Sequence, residues 1–337
     1  IKSLIISSKY LILANKKTIN FYIKYLQNKI ELNHNLINYL SKYKPDLVIF
    51  PSSGTDPLSI DITEACNFLK IKSYMIIDNW DNLSSKTIIW SKPSYLGVWG
   101  EQSKTHAVEI QKFKEKFIYL LGSSRHSVYD LQNFDNHFNF KYLLFVGTLL
   151  YFDEIKVLKL IDKIINKNDL GLKIIYRPHP WRISNTVLEE GISKNIIIDP
   201  QVKDHFFKPI DNRHNMPDLK YYPGLLKNAE LIIGGASSMI IESLMLKKKY
   251  LILCHNEFIN LTSPRRVFKN YVHFEGIEKN PLIITCYELN NLEKNILENL
   301  NSISFDKSKD NLNYYLFNDK RNFKDRLNHS VENILND

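Results

Sequence analysis

The sequence predicts an α/β protein made of two doubly wound, Rossmann-like parallel-sheet lobes with a cleft between them. Three observations lead there. A chain of 337 residues exceeds one ordinary core and suits two lobes of roughly 150 to 200 residues each. Short β-rich runs alternate with helical periods along its whole length, as parallel sheets with crossover helices require. The alternation falls into two series, divided by a polar stretch over Asp130–Lys141 that reads as a linker. The expected domains are residues 1–137, then 138–311, with a helix over 312–337 packing back across the lobes.

In the first series, Leu36, Ile37 and Leu40 mark a helix, and Pro45-Asp46 leads into a strand over Leu47–Phe50. A helix through Ile60–Leu69 precedes a strand at Ser73–Ile77, and Tyr95–Val98 is the next strand. Ser103 is expected to cap an amphipathic helix carrying His106, Ala107, Ile110 and Phe113. Ile118–Leu121 closes the lobe. The second series opens on the apolar run Tyr142–Val146, followed by a helix over Asp153–Ile165. Strands are predicted at Leu172–Tyr176, Asn195–Ile198, Leu231–Ile233 and Tyr250–Leu253. Residues 201–219 are polar and unpatterned and read as a long surface loop. Leu312–Ile334 regains helical spacing, and no repeat of 20 to 50 residues is visible.

Composition narrows the class. The chain is 44% hydrophobic, 12% aromatic and 24% charged, which suits a folded globular protein. No apolar run approaches the ~18 to 20 residues of a membrane span. Lys9, Lys16 and Lys17 interrupt anything resembling a signal-peptide core. Because the first residue is Ile1 and not Met, a further N-terminal piece is expected ahead of it. Cys66, Cys254 and Cys286 are scattered in apolar contexts, as expected of reduced thiols in the cytoplasm. The net charge of +9 contains no block of five like charges. Its densest point is Lys247-Lys248-Lys249. Attraction to a polyanionic acceptor or to the inner membrane face fits better than nucleic-acid binding.

In doubly wound sheets, ligands sit beyond the carboxyl ends of the strands, so the residues just after each strand carry the chemistry. Three such loops stand out in the second lobe. In Tyr176-Arg177-Pro178-His179-Pro180, two prolines fix the backbone. Arg177 and His179 are thereby offered to a phosphate. In the stretch Leu231–Glu242, a strand runs into Gly234-Gly235, then Ser237-Ser238 at a helix start. Glycines allow close backbone approach and a helix start favours an anion. Glu242, one turn on, is a ribose acceptor. Gly147-Thr148 is a glycine turn after the lobe's first strand. No P-loop and no GxGxxG string occurs. In the first lobe, Asp78-Asn79-Trp80-Asp81-Asn82 with Ser84-Ser85-Lys86 groups carboxylates, carboxamides and a Trp. Trp80 suits a sugar platform, Asn82 reads hydroxyls, and an Asp can deprotonate an acceptor. Ser52–Asp56 and Gly100-Glu101-Gln102 are lesser candidates.

RPHP at Arg177–Pro180, followed by GG-x-SS-xxx-E at Gly234–Glu242, resembles the C-terminal lobe of GT-B bacterial surface-polysaccharide transferases. That group includes the CDP-glycerol glycerophosphotransferases, the capsule Kdo transferases and the bacterial sialyltransferases. The resemblance covers residues 142–255, and the first lobe only loosely. It implies that His179, Pro180, Ser237 and Ser238 grip phosphate and that Glu242 binds ribose. Set against the glycerophosphotransferase string W-H-G-x-x-x-K, Trp80, Asp81, Asn82 and Lys86 fall in register, with Asp81 where that family has its His base. No sialyltransferase D/E-D/E-G string is present. The resemblance implies no bound metal, and no DxD or His/Cys ligand set suggests one.

The expected function is an inverting glycosyltransferase that moves a sugar from a nucleotide-activated donor to a cell-surface glycan. Asp81 is its expected base, with Asp78 as substitute. Arg177, His179, Gly235, Ser237, Ser238, Glu242, Gly147 and Thr148 form the expected donor site. Trp80, Asn82, Lys86 and Glu101 form the expected acceptor site. No cofactor is expected, and the partners are the donor and a glycan or lipid-linked acceptor. Polyol-phosphate transfer, a UDP-sugar 2-epimerase and a non-catalytic module remain the alternatives.

Overall fold

The computed structural model describes residues 16–130, 133–150, 152–179, 193–207, 218, 220–257, 263–300 and 310–337. In chain order the first elements are α1 (Lys16–Gln27), α2 (His34–Tyr43), β1 (Leu47–Ser52), α3 (Pro57–Leu69) and β2 (Lys72–Ile77). A π-helical turn over Asn82–Lys86 precedes β3 (Tyr95–Val98), α4 (Glu101–Glu109) and β4 (Ile118–Leu120). After a 3-10 turn at Ser124–Asp130 come β5 (Tyr142–Val146), α5 (Glu154–Lys167), β6 (Lys173–Arg177), β7 (Ile196–Ile198), α6 (Pro200–Phe207) and α7 (Tyr221–Lys227). The rest are β8 (Leu231–Gly234), α8 (Met239–Met245), β9 (Tyr250–Leu253), α9 (Pro264–Asn270), β10 (Ile283–Cys286), α10 (Leu292–Leu300), α11 (Leu312–Tyr315) and α12 (Phe323–Asn336).

The chain divides into two units. The first runs to Gly122 and is completed by Lys324–Asp337; the second is Ser123–Phe323. The Asp130–Lys141 stretch lies within the second unit. The first unit holds a parallel sheet in the order β1-β2-β3-β4. Two of its helices, α2 and α3, start where the sequence supplies caps. Asn33 Oδ1 accepts from Leu36 N at 3.1 Å, and Asp56 Oδ1 accepts from Ser59 N at 2.8 Å, with Pro57 in the first turn. Such caps satisfy N–H groups that the helix leaves unpaired. Ile37 and Leu40 of α2 bury against Ala65 and Cys66 of α3. The α12 helix closes this unit: Tyr74 Oη donates to Ser330 Oγ (3.0 Å), Lys72 Nζ to the Ile334 carbonyl (2.8 Å) and Arg326 Nε to the Leu121 carbonyl (2.8 Å).

The second unit holds a six-stranded parallel sheet in the order β10-β9-β8-β5-β6-β7. The chain winds outward from β5 to β7, returns to β8 beside β5, and winds the other way. This is the doubly wound order, and its switch point lies between β5 and β8. Every residue of β5 is buried, as expected of a strand with both faces covered. Asp153 caps α5 by accepting from Lys156 N at 2.9 Å. The apolar face of that helix packs on Leu143, Phe145 and Ile174.

Several expectations are corrected. Ser103 does not cap a helix: α4 starts at Glu101 after Gly100, and Ser103 is buried inside it. Residues 200–207 of the expected surface loop form α6, while 208–217 and 219 lie outside the described residues. The sixth strand, β10, has no counterpart in the sequence reading. Cys66, Cys254 and Cys286 are all buried and free. No helix among the described residues is long and apolar enough to cross a membrane.

Candidate functional site

The loops that follow β5, β6 and β8 converge on one point at the switch of the second sheet. Gly147 is pressed against the loop after β6. A Cβ built there would lie 2.9 Å from His179 N, 3.0 Å from Pro178 Cα and 2.8 Å from Glu154 Oε2. On the β8 side, a Cβ at Gly235 would lie 2.8 Å from Thr148 Cγ2 and 3.3 Å from Phe152 Cε1. Gly147-Thr148 is therefore wedged between His179 and Gly235. Glycine is required at both places because no side chain fits the approach.

Glu154 fixes this junction from beneath. Its buried carboxylate accepts from Thr148 N at 3.0 Å and from Tyr176 Oη at 2.7 Å. The Thr148 hydroxyl donates to the Leu150 carbonyl at 3.0 Å. Both Thr148 donors thus hold the loop, which corrects its reading as a donor-binding residue. Gly234 belongs to the strand instead of the turn, where a Cβ would meet the Val146 carbonyl at 2.5 Å. The Gly235 carbonyl accepts from Tyr250 Oη at 2.9 Å. The Ser237 hydroxyl oxygen is buried toward that phenol. Ser238 is partly exposed at the start of α8 and makes no side-chain cap. His179 is partly exposed, and Pro180 lies outside the described residues.

Arg177 departs from its expected role. It is the last residue of β6, only 5% exposed, and Nη1 donates to Oδ2 of the fully buried Asp199. Its guanidinium also lies over the Tyr222 ring, 4.2 Å from the centroid. Asp199 Oδ1 accepts from Tyr221 Oη at 2.8 Å and from Gln201 N at 3.1 Å. A guanidinium committed to a buried carboxylate in this way is a structural cross-tie, not a phosphate grip.

Glu242 is the centre of a polar cluster that the sequence reading missed. It is buried on α8, and Arg125 Nη2 donates to Oε1 at 3.0 Å. Tyr129 Oη donates to Oε2, and His126 Nε2 lies 3.8 Å from Oε1. Arg125, His126 and Tyr129 all come from the Ser124–Asp130 turn. Burial alone would raise the Glu242 carboxyl, but contact with His126, the Arg125 charge and the Tyr129 hydrogen bond bring it down to about 2. Burial pushes His126 below the ordinary histidine range, against the opposing pull of the neighbouring Glu242. Tyr129 is pushed up by burial and then by the Glu242 charge. The one sequence signal for this cluster was a Ser-Ser-Arg-His run just past a strand.

In the first unit, the loop after β2 divides. Trp80 is 1% exposed, so its ring is core and not an open sugar platform. Asn82 is also buried, and its Nδ2 donates to the Ser53 carbonyl at 2.9 Å. That bond ties the loops after β1 and β2 and corrects an acceptor-binding reading. Asp81 Oδ2 pairs with Lys86 Nζ at 2.9 Å, while its Oδ1 is buried with no hydrogen-bond partner among the described residues. Lys86, Asp78 and Glu101 are exposed. The π-helical turn after Asp81 is a rare geometry that concentrates at functional sites. Among the described residues, no group of three His, Cys, Asp or Glu side chains could hold a metal ion.

By sequence, no protein-family model matches the chain, and no curated protein is similar to it. By structure, Staphylococcus aureus MnaA bound to UDP is similar over 90% of this chain and 78% of its own, at 12% identity and a TM-score of 0.52. The glycosyltransferase of kitacinnamycin is similar over 89% and 78%, at 10% identity and a TM-score of 0.55. A UDP-N-acetylglucosamine 2-epimerase is similar over 89% and 75%, at 12% identity and a TM-score of 0.52. With its parallel Rossmann-like sheets of four and six strands, the chain has the GT-B fold.

Proposed function

We propose that this protein is a nucleotide-sugar glycosyltransferase that builds a cell-surface glycan such as capsule or lipopolysaccharide. One observation carries the reading: the loops after β5, β6 and β8 meet where the strand order reverses, the place at which doubly wound sheets take their ligands. Gly147 and Gly235 let these loops close against one another there. His179 and Ser238 supply donors, and the ionised Glu242 accepts from ribose hydroxyls. In the transfer step, a carboxylate of the first unit takes the proton of the acceptor hydroxyl. That oxygen bonds to the anomeric carbon with inversion, and the electron pair of the broken C–O bond leaves on the nucleoside diphosphate. Asp81 is our choice for the base, because its Oδ1 has no hydrogen-bond partner among the described residues. The three buried free thiols suit a reducing compartment.

A second reading, a UDP-sugar 2-epimerase, is favoured by the epimerase among the structural neighbours. A thermal-shift panel of CMP, CDP, UDP and GDP, followed by mass spectrometry with donor sugars, separates the outcomes. A transferase gives product only with acceptor present. Conversion of the donor alone supports the epimerase. Absence of a shift with every nucleotide overturns both.

A further inference from the structure

We propose that Tyr222 is the platform on which the nucleotide base stacks in this site, with Arg177 holding its ring from behind. The inference rests on the nucleotide reading above and names the group that meets the base. Tyr222 lies in the first turn of α7, and α7 packs against α8, the helix that carries Glu242. Burial pushes its hydroxyl above the ordinary tyrosine range; the Arg177 charge opposes that rise and the Glu242 charge adds to it. Tyr222 therefore stands between the guanidinium at the end of β6 and the carboxylate assigned to the ribose. A ribose held on Glu242 through its diol carries the base on the adjoining carbon, so an aromatic side chain beside that carboxylate is placed to meet it.

The neighbouring tyrosine is committed elsewhere. Tyr221 Oη donates to Asp199, and its ring is stacked on His137 at 4.1 Å and 17°. Tyr222 is partly exposed. The Arg177 guanidinium covers one face of its ring, 4.2 Å from the centroid, and is itself fixed by Asp199. Among the described residues no other ring or cation stacks on Tyr222, and the opposite face is the one offered to a planar ligand. A ring already clamped on one side gives up little rotamer freedom when a base lands on the other. Every base has a π face, so an aromatic platform supplies affinity without choosing among bases. Arg177 thus acts through Tyr222 as a positioning residue, which reconciles its burial with its place beside the site.

The test is calorimetry of UDP, CDP and GDP on the full chain, with ribose 5-phosphate titrated by NMR as the probe that lacks a base. For Tyr222→Leu the nucleotides should bind roughly 10- to 100-fold more weakly, as expected for a lost base–aromatic stack. Ribose 5-phosphate should change by less than about 3-fold. Tyr222→Phe keeps the ring and should stay within about 3-fold of wild type for every probe. If Tyr222→Leu does not fold, Tyr222→Met carries the test with the same expected split. Unchanged nucleotide affinity in the Leu or Met variant overturns the proposal. An equal loss for ribose 5-phosphate also overturns it, since the ring would then be a prop for Glu242. A loss in Tyr222→Phe as large as in Tyr222→Leu does the same, because the contact would lie at the hydroxyl. A wild-type chain that binds no nucleotide overturns the nucleotide reading itself.

Discussion

Replacing Arg177 with methionine keeps most of the apolar stem under Tyr222 but removes the charge that Asp199 faces. The carboxylate is fully buried and, among the described residues, retains the Tyr221 hydroxyl and the Gln201 N–H. Removing one member of a buried ion pair typically costs about 3–5 kcal/mol. The two remaining donors hold the loss toward the lower end. At about 2–4 °C per kcal/mol for a unit of this size, the melting transition should fall by roughly 6–16 °C. Adding Asp199→Asn removes the stranded charge while keeping an acceptor for Tyr221 and Gln201, so the double variant should recover at least half of the loss. Urea unfolding followed by circular dichroism measures both. If Arg177→Met loses less than about 1 kcal/mol, or the double variant is no better than the single, the cross-tie argument is wrong. A phosphate-gripping Arg177 would instead keep its stability and lose nucleotide affinity.

Gly147→Ala should push the loops after β5 and β6 apart, since two of its three close neighbours are backbone atoms. It should cost about 1–3 kcal/mol and weaken nucleotide binding, read by the same thermal-shift panel. Glu242 gives a pH signature. Its folded value of about 2 lies below the ordinary 4.5, so its stabilisation is present above about pH 5 and is lost as pH falls toward 2. Glu242→Gln should therefore be less stable than wild type at pH 7, by up to about 3 kcal/mol. The gap should narrow steadily as pH falls from about 5 toward 2 in acid titrations of the melting temperature. Asp81→Asn should abolish transfer and leave nucleotide affinity unchanged; normal turnover would remove Asp81 as the base.

How legible was this in the sequence? Apolar runs long enough to fill a buried strand, such as Tyr142–Val146 and Tyr250–Leu253, were read to the residue. The equally short β10 follows Pro281 and is buried only at Ile283 and Cys286, so it lacks the unbroken buried run that marks β9. The site was legible as positions but not as directions. Placing the end of β6 at Tyr176 made Arg177 a loop residue. Continuing the strand by one residue places it in a sheet whose two faces are both covered, so its side chain is buried like its neighbours'. Trp80 posed the same problem: a ring among polar residues can face in or out, and only tertiary packing decides. Arg125, His126 and Tyr129 sit on a 3-10 turn that has no periodicity to detect, and their partner is 113 to 117 positions away.

The return of α12 to the first unit has a consequence for synthesis. That unit is discontinuous, since Lys324–Asp337 lies beyond the whole of the second unit. Tyr74, one of its most deeply buried side chains, donates its hydroxyl to Ser330. On the ribosome, the later-made unit is contiguous and complete before the earlier one can close. A chain halted short of residue 324 would carry a finished second sheet and a first sheet whose Tyr74, Tyr95 and Leu121 groups still await their partners in Arg326, Ser330 and Asp337.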